Sequence, residues 1–296
     1  MNVAFLGLGA IGAPMARHVA SKFTLTVWNR TTAKAEAFGA AHNARVASSP
    51  ADAARGAEVI VTCLPTSREV ESLLDGDDGL SAGLEDGNTL IDCTSGDPAT
   101  SRRIAERLAA KGVAFIDAPV SGGVVGAESG ALTVMCGGER STFDAMRPVL
   151  EAFGKRIVHV GPVGAGDALK AVNNAMLAVH IWSLAEGLAA LVKAGVSPTA
   201  ALEVINASSG RSNTSENLVP QRVVTGAFPR TFRLALLEKD VGIAAEFLRE
   251  QRIPSVVIQQ VADLFRLARV ELGEAADHVE AVKVVERWSG VEIRDT

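Results

Sequence analysis

The chain has 296 residues, 48% hydrophobic and 21% charged, with 28 glycines. It is too long for one ordinary core and is composed like a folded two-domain protein, not like a disordered or collagen-like chain. Its formal charge of −5 opposes the basic field that a nucleic-acid partner needs, and no uninterrupted apolar run of about 18 residues marks a membrane span.

From the N-terminus, an apolar start lacks the basic leader and small-residue cleavage site of a secretory signal. Short β-rich runs at 3–6, 24–28, 58–63, 89–92, 114–116, 132–136 and 157–160 predict strands. Stretches between them, such as 13–22, 32–38 and 98–111, carry a helical apolar period. This alternation predicts a mostly parallel sheet with helices on both faces. The run 130–138, with glycine at both ends and no helical pattern before it, reads as a late, antiparallel edge strand.

After the cluster Gly161-Pro162-Val163-Gly164-Ala165-Gly166 the texture changes and strand signals nearly vanish. An Ala/Leu-rich helical pattern runs over 167–194, followed by others at 198–207, 236–250, 254–272 and 277–288, with loops expected at 207–217 and 220–229. The expected fold is an α/β, Rossmann-like, doubly wound domain over 1–161. An all-α domain over 162–296 joins it through the long interdomain helix.

Gly7, Leu8, Gly9, Ala10, Ile11 and Gly12 form a G-x-G-x-x-G that follows a strand and opens a helix. In that setting the glycines permit a tight turn and let the backbone approach a dinucleotide pyrophosphate at the helix N-terminus. The second strand ends in Asn29, Arg30 and Thr31, with no acid to hold the ribose 2′-hydroxyl of NAD. A guanidinium with a neighbouring hydroxyl suits a 2′-phosphate, so NADP is preferred and NAD remains possible. Cys63, Leu64 and Pro65, and the run Asp92-Cys93-Thr94-Ser95, stand at further strand ends that would border the cofactor.

There is no tyrosine, which excludes any dehydrogenase that uses a Tyr hydroxyl as its acid–base group. The three cysteines form no CxxC and the five histidines show no metal-ligand spacing, so reduced thiols, a cytoplasmic setting and no catalytic metal are expected. Ser121, Gly122 and Gly123 follow a strand end, where a glycine loop can present N–H groups to a carboxylate; a plain flexible loop reads the same way. Lys170 and Asn174 are spaced to share one helix face. By composition alone Lys170 reads as a solvated lysine, whereas in an apolar cleft it would serve as a general acid or base.

The run GLGAIGAPMARHV, the segment DAPVSGGVVGAESGALTVMCGG and the run GPVGAGDALKAVNN stand in the order and at the spacing of three motifs of the β-hydroxyacid dehydrogenase family. The chain resembles that family over essentially its whole length. The resemblance implies a catalytic lysine at Lys170, a substrate-orienting amide at Asn174 and a carboxylate site at Ser121, Gly122 and Gly123. It also implies a contact to nicotinamide and substrate from the loop with Ser95, and a cofactor-binding lysine near the end of the cofactor cleft at Lys239, in a Lys239-Asp240 pair. The hydroxyl residues Thr94 and Ser95 stand in swapped order relative to the family, which leaves the Ser95 contact open. The implied reaction is hydride transfer from a short 3-hydroxy acid, such as 3-hydroxyisobutyrate, to NADP, in a homodimer or homotetramer assembled through the helical domain. An NADPH-dependent reductase of glyoxylate or succinic semialdehyde on the same scaffold is the alternative. A binding module that has lost its chemistry would lack Lys170.

Overall fold

The computed structural model describes residues 1–295. Among them the strands are β1 (Asn2–Leu6), β2 (Thr24–Trp28), β3 (Arg45–Val46), β4 (Val59–Thr62), β5 (Thr89–Asp92), β6 (Ala114–Asp117), β7 (Val120–Ser121), β8 (Leu132–Gly137) and β9 (Gly154–Gly161). They form one sheet in the order β3-β2-β1-β4-β5-β6-β8-β7, with β9 paired to β8. Pairing from β3 to β6 is parallel throughout. Side chains alternate between two cores: Val3, Phe5, Val59, Val61, Ile91 and Ile116 enter one, while Ala4, Leu6, Ile60, Leu90 and Phe115 enter the other. Burial on both faces is what a sheet covered by crossover helices requires, and it explains why these strands read as continuous apolar runs.

The strand over 132–137 corrects the expectation of an edge. It pairs antiparallel with β6 and β7 on one side and parallel with β9 on the other, so only its antiparallel sense was legible. A short helix, Gly123–Glu128, also precedes it. The two-residue strands β3 and β7 and the short helices Pro50–Ala54, Ser67–Leu73 and Leu80–Gly83 carry too little periodicity to be read from sequence. The helix Arg140–Leu150 does carry a helical apolar period, through Phe143, Val149 and Leu150, and is an addition to the expected elements. Caps fix two of the short helices, where Ser49 accepts from the Asp52 N–H and Thr66 from the Glu69 N–H, and Asp97 caps the expected helix Pro98–Ala109 in the same way, accepting from the Thr100 N–H.

Contacts divide the chain into two compact units, Met1–Lys170 and Ala171 onward. The second unit is built on the helices Pro198–Asn206, Leu234–Glu250, Val256–Leu272 and Val282–Ser289 and on most of Ala165–Lys193. By length and composition Ala165–Lys193 is apolar enough to cross a membrane. Its Ala175, Ala178, Ile181, Trp182, Ala185, Leu188 and Ala189 instead pack into the core of the helical unit. The loops expected over 207–217 and 220–229 are each corrected in part, because Thr214–Val224 forms a wide π-type helix containing Pro220. Pro220 and the polar residues around it masked the buried face of Thr214, Ser215, Val219 and Val223.

Candidate active site

Leu6, Thr62, Asp92 and Asp117 end β1, β4, β5 and β6 in matched register, and Trp28 on β2 pairs with Leu6. The segments beginning at Gly7, Asn29, Cys63, Cys93 and Ala118 therefore leave the sheet along one carboxyl edge. The strand order reverses direction between β1 and β4, the point at which open α/β sheets place a ligand.

The glycine loop is built in three distinct ways. Gly7 has a φ of +106°, and a Cβ there would stand 2.3 Å from the Cys63 carbonyl oxygen. A Cβ at Gly12 would stand 2.0 Å from the Gly7 carbonyl oxygen, so close packing of turn and helix demands glycine there too. Gly9 is exposed and a Cβ on it would meet nothing within 4 Å. The first and third glycines are thus dictated by the protein's own backbone. The second opens a face that a pyrophosphate can approach, beside a helix (Gly12–Ala20) whose first turn carries no acid. These residues fit a dinucleotide cofactor.

Asn29 is spent largely on the loop itself: its Oδ1 accepts from the Leu8 N–H at 3.0 Å and its Nδ2 donates to the Thr31 carbonyl at 3.0 Å. Arg30 and Thr31 follow it, both exposed, at the end of β2. At the next strand ends, Thr94 is buried and its Oγ1 accepts from the Leu64 N–H at 3.0 Å, binding the two strand-end loops together. The neighbouring Ser95 is half-buried. Burial, reinforced by the charge of Asp92, pushes the Cys63 thiol up to about 12, which makes it a packing group and not a nucleophile.

A cluster of three buried carboxylates under this edge was not anticipated. Asp92 accepts from Thr62 Oγ1 at 2.8 Å and from the Thr94 N–H at 3.0 Å. Asp117 accepts from the Gly164 N–H at 2.7 Å and the Asp167 N–H at 3.0 Å. Asp167, in the first turn of Ala165–Lys193, accepts from Ser101 Oγ at 2.6 Å and the Gly96 N–H at 3.1 Å. Burial pushes Asp117 up to about 6 against the pull of its N–H donors, and burial with the nearby Asp117 and Asp92 charges raises Asp167 well above the usual carboxylate range. An acid ending an otherwise apolar strand, as at Asp92 and Asp117, was the available signal.

Lys170 lies one turn beyond Asp167 and is only 9% exposed, so it is not the solvated lysine that composition favours. Asn174 follows one further turn along the same helix and is 3% exposed. Its Nδ2 donates to Asp240 Oδ2 at 2.6 Å, and a carboxylate can only accept, which fixes the orientation of the amide. Asp240 also pairs with Lys239 at 3.0 Å. Lys239, Asp240 and Asn174 therefore form one network in the helical unit. Ser121 ends β7 opposite Thr133, half-buried, and Gly122 and Gly123 follow it, exposed, with φ of +134° and +62°. Only glycine adopts that pair of conformations readily, and successive N–H groups so arranged suit an anion. Among the described residues no group of His, Cys, Asp or Glu converges as a metal site.

A family model described as the NAD binding domain of 6-phosphogluconate dehydrogenase matches residues 2–161. One described as NAD-binding of NADP-dependent 3-hydroxyisobutyrate dehydrogenase matches residues 164–285. The chain is 35% identical over 295 residues to a 2-(hydroxymethyl)glutarate dehydrogenase of Eubacterium barkeri, covering 99% of this chain and 97% of that one. It is 39% identical over 249 residues to a 3-hydroxyisobutyrate dehydrogenase of Pseudomonas aeruginosa, covering 82% and 84%. Among solved structures, a Mycobacterium tuberculosis 3-hydroxyisobutyrate dehydrogenase with L-serine superposes with a TM-score of 0.89 at 29% identity, covering 96% of this chain and 98% of that one.

Proposed function

The chain belongs to the β-hydroxyacid dehydrogenase family and is an NAD(P)-dependent oxidoreductase acting on CH–OH groups; from that premise we propose that it oxidises a short 3-hydroxy acid, 3-hydroxyisobutyrate first, and prefers NADP to NAD. The observation that carries this reading is the burial of Lys170, one helical turn before Asn174. 3-Hydroxyisobutyrate, 2-(hydroxymethyl)glutarate and serine, the compounds named with the relatives above, are all 3-hydroxypropanoates that differ in the substituent at carbon 2. A site with one carboxylate cradle and one proton-transfer group recognises what they share.

In this reading Ser121 and the backbone of Gly122 and Gly123 hold the substrate carboxylate. Lys170 Nζ takes the hydroxyl proton in oxidation and returns it in reduction, and Asn174, oriented by Asp240, holds the hydroxyl in line. The glycine loop, Arg30, Thr31, Cys63, Leu64, Pro65, Ser95 and Lys239 hold the cofactor, with Asn29 bracing the loop from below. The cofactor supplies the hydride acceptor. Arg30 and Thr31 support NADP because a 2′-phosphate gains charge-assisted bonds there.

Initial rates with 3-hydroxyisobutyrate, L-serine and 2-(hydroxymethyl)glutarate, each with NADP and NAD, test the reading. Glyoxylate and succinic semialdehyde with NADPH run in parallel. The fastest turnover is expected with 3-hydroxyisobutyrate and NADP. Turnover of the aldehydes alone would replace the reading with the reductase one, and a faster serine or glutarate reaction would keep the chemistry and change the substituent.

A further inference from the structure

Asp167 has no role in the proton-transfer scheme above, yet it is 1% exposed and its hydrogen bonds reach the loop after Ser95, the helix that follows that loop and the end of β6. Its Oδ1 accepts the Gly96 N–H, the residue after Ser95, and its Oδ2 accepts Ser101 Oγ on the helix Pro98–Ala109. Its own N–H donates to Asp117 Oδ2, at the end of β6, while Asp117 Oδ1 accepts the Gly164 N–H. Three residues further along its helix stands Lys170, on a neighbouring part of the same face.

The backbone is shaped to admit these two carboxylates. A Cβ on Gly96 would come within 3.1 Å of an Asp167 oxygen and 2.5 Å of Ser67 Oγ. A Cβ on Gly137 would stand 2.5 Å from Asp117 Oδ1, and one on Gly166 would stand 2.9 Å from Asp117 Oδ2. A solvated surface acid needs no such clearance. On the other side of Ser95, Thr94 is pinned through its N–H to Asp92 and through its hydroxyl to the Leu64 N–H. Ser95 is thus held between two fixed points, and one of them is the helix turn that leads to Lys170.

We propose that Asp167 is a positioning residue of the reaction: its carboxyl group ties the Ser95 loop to the first turn of the Lys170 helix, and Asp117 anchors that turn to the end of β6. The proposal rests on the assignment of Lys170 as the proton-transfer group. Its energetic logic is that of orientation, in which a displacement of about 1 Å costs on the order of 10²-fold in rate. Since burial favours the uncharged carboxyl at Asp167, asparagine is a close stand-in: its amide oxygen can still accept the Gly96 N–H, and the Ser101 hydroxyl can rotate to accept from the amide nitrogen.

The test compares Asp167→Ala, Asp167→Asn and Ser101→Ala in the full chain. It reads kcat and KM for the hydroxy acid, the Kd for NADPH, and amide hydrogen exchange at Ser95, Gly96 and the helix start. Asp167→Ala is expected to lower kcat by roughly 10- to 100-fold with a much smaller change in NADPH affinity, because most of the cofactor contacts lie outside the Ser95 loop. Asp167→Asn should recover most of that loss, and exchange at Gly96 and at the helix start should accelerate together in the alanine variant. A folded Asp167→Ala enzyme with wild-type kcat overturns the proposal, as does an asparagine variant no better than alanine or a loss confined to NADPH binding. If Asp167→Ala does not fold, Ser101→Ala decides: a reduced kcat with unchanged NADPH affinity supports the tie, and wild-type kcat overturns it. If the wild-type protein oxidises no hydroxy acid, the functional reading falls, and exchange alone decides whether the tie exists; unchanged exchange at both segments in Asp167→Ala overturns it.

Discussion

In the proposed reading, cofactor choice turns on Arg30. It stands exposed at the end of β2, where no acid competes for a ribose hydroxyl. A charge-assisted bond to a 2′-phosphate contributes about 1.5–3 kcal/mol. Arg30→Ala should therefore weaken NADP by roughly 10- to 100-fold in kcat/KM and leave NAD nearly unchanged, which steady-state kinetics with both cofactors would show. An equal loss with both would remove Arg30 from 2′-phosphate recognition. Residue by residue, the glycine fingerprint was the most legible part of the site, since Gly7 and Gly12 answer to steric demands of the backbone that a motif encodes and Gly9 leaves the face between them open. Asn29 was legible only as a neighbour of the cofactor, because the sequence does not reveal that its amide is used on Leu8 and Thr31. Asp167 went unread for the opposite reason: an acid in a first helical turn is ordinary, and its burial depends on Gly96 and Ser101, some 70 residues earlier in the chain.

At the scale of elements, the junction of the segment around Thr231 and Phe232 with the turn His278–Ala281 depends on Asp277. Its Oδ2 accepts the Thr231 N–H at 2.7 Å and the Phe232 N–H at 2.9 Å, and Oδ1 accepts the Val279 N–H at 3.2 Å. Burial alone would push this carboxyl up, but His278 and the N–H groups of Phe232 and Thr231 reverse the shift and hold it well below the usual range. The unfolded chain, with an ordinary Asp value of about 3.9, then binds a proton that the folded state refuses. The stabilisation is complete above that value and is lost as pH falls below it. Asp117 acts with the opposite sign: raised to about 6, it keeps its proton longer in the folded state, so its share of stability declines as pH climbs from about 4 to 6. Thermal unfolding between pH 3 and 7 should show an acid limb that Asp277→Asn flattens, and a decline toward pH 6 that is shallower in Asp117→Asn, with the raised Asp167 supplying the remainder. An unaltered acid limb in Asp277→Asn would contradict the assignment. Elements with long apolar runs were read nearly to the residue, as for Thr24–Trp28 and Thr89–Asp92. The two-residue strands and the Pro220 helix were not, because pairing and tertiary packing create them, not local pattern.

For the whole molecule, the change of texture at Gly161 marks the end of the last strand, while the compact units part at Lys170, inside the long helix. The difference is physical: the first turn of that helix is bonded to the sheet domain through Asp117, Gly96 and Ser101, so strand signals end before the contacts do. The helical unit exposes Met176, Val256, Val257, Val270 and Trp288, the last at 56% although Trp182 stacks on it edge-on. We propose that part of this surface is covered in a homodimer or homotetramer assembled through the helical unit. Light scattering behind a sizing column should return two or four times the 30.8 kDa of one chain. A monomer at micromolar concentration would contradict it.

The central claim, that the buried lysine of Ala165–Lys193 moves the substrate proton, is tested most directly by the turnover of Lys170→Ala. The measurement is kcat for 3-hydroxyisobutyrate at saturating NADP, made alongside NADPH binding and the unfolding temperature. The expected result is a kcat lower by about 10²–10⁴-fold in a variant that folds and still binds NADPH. Near-wild-type turnover in that variant would contradict the assignment of Lys170 and, with it, the mechanism built on it.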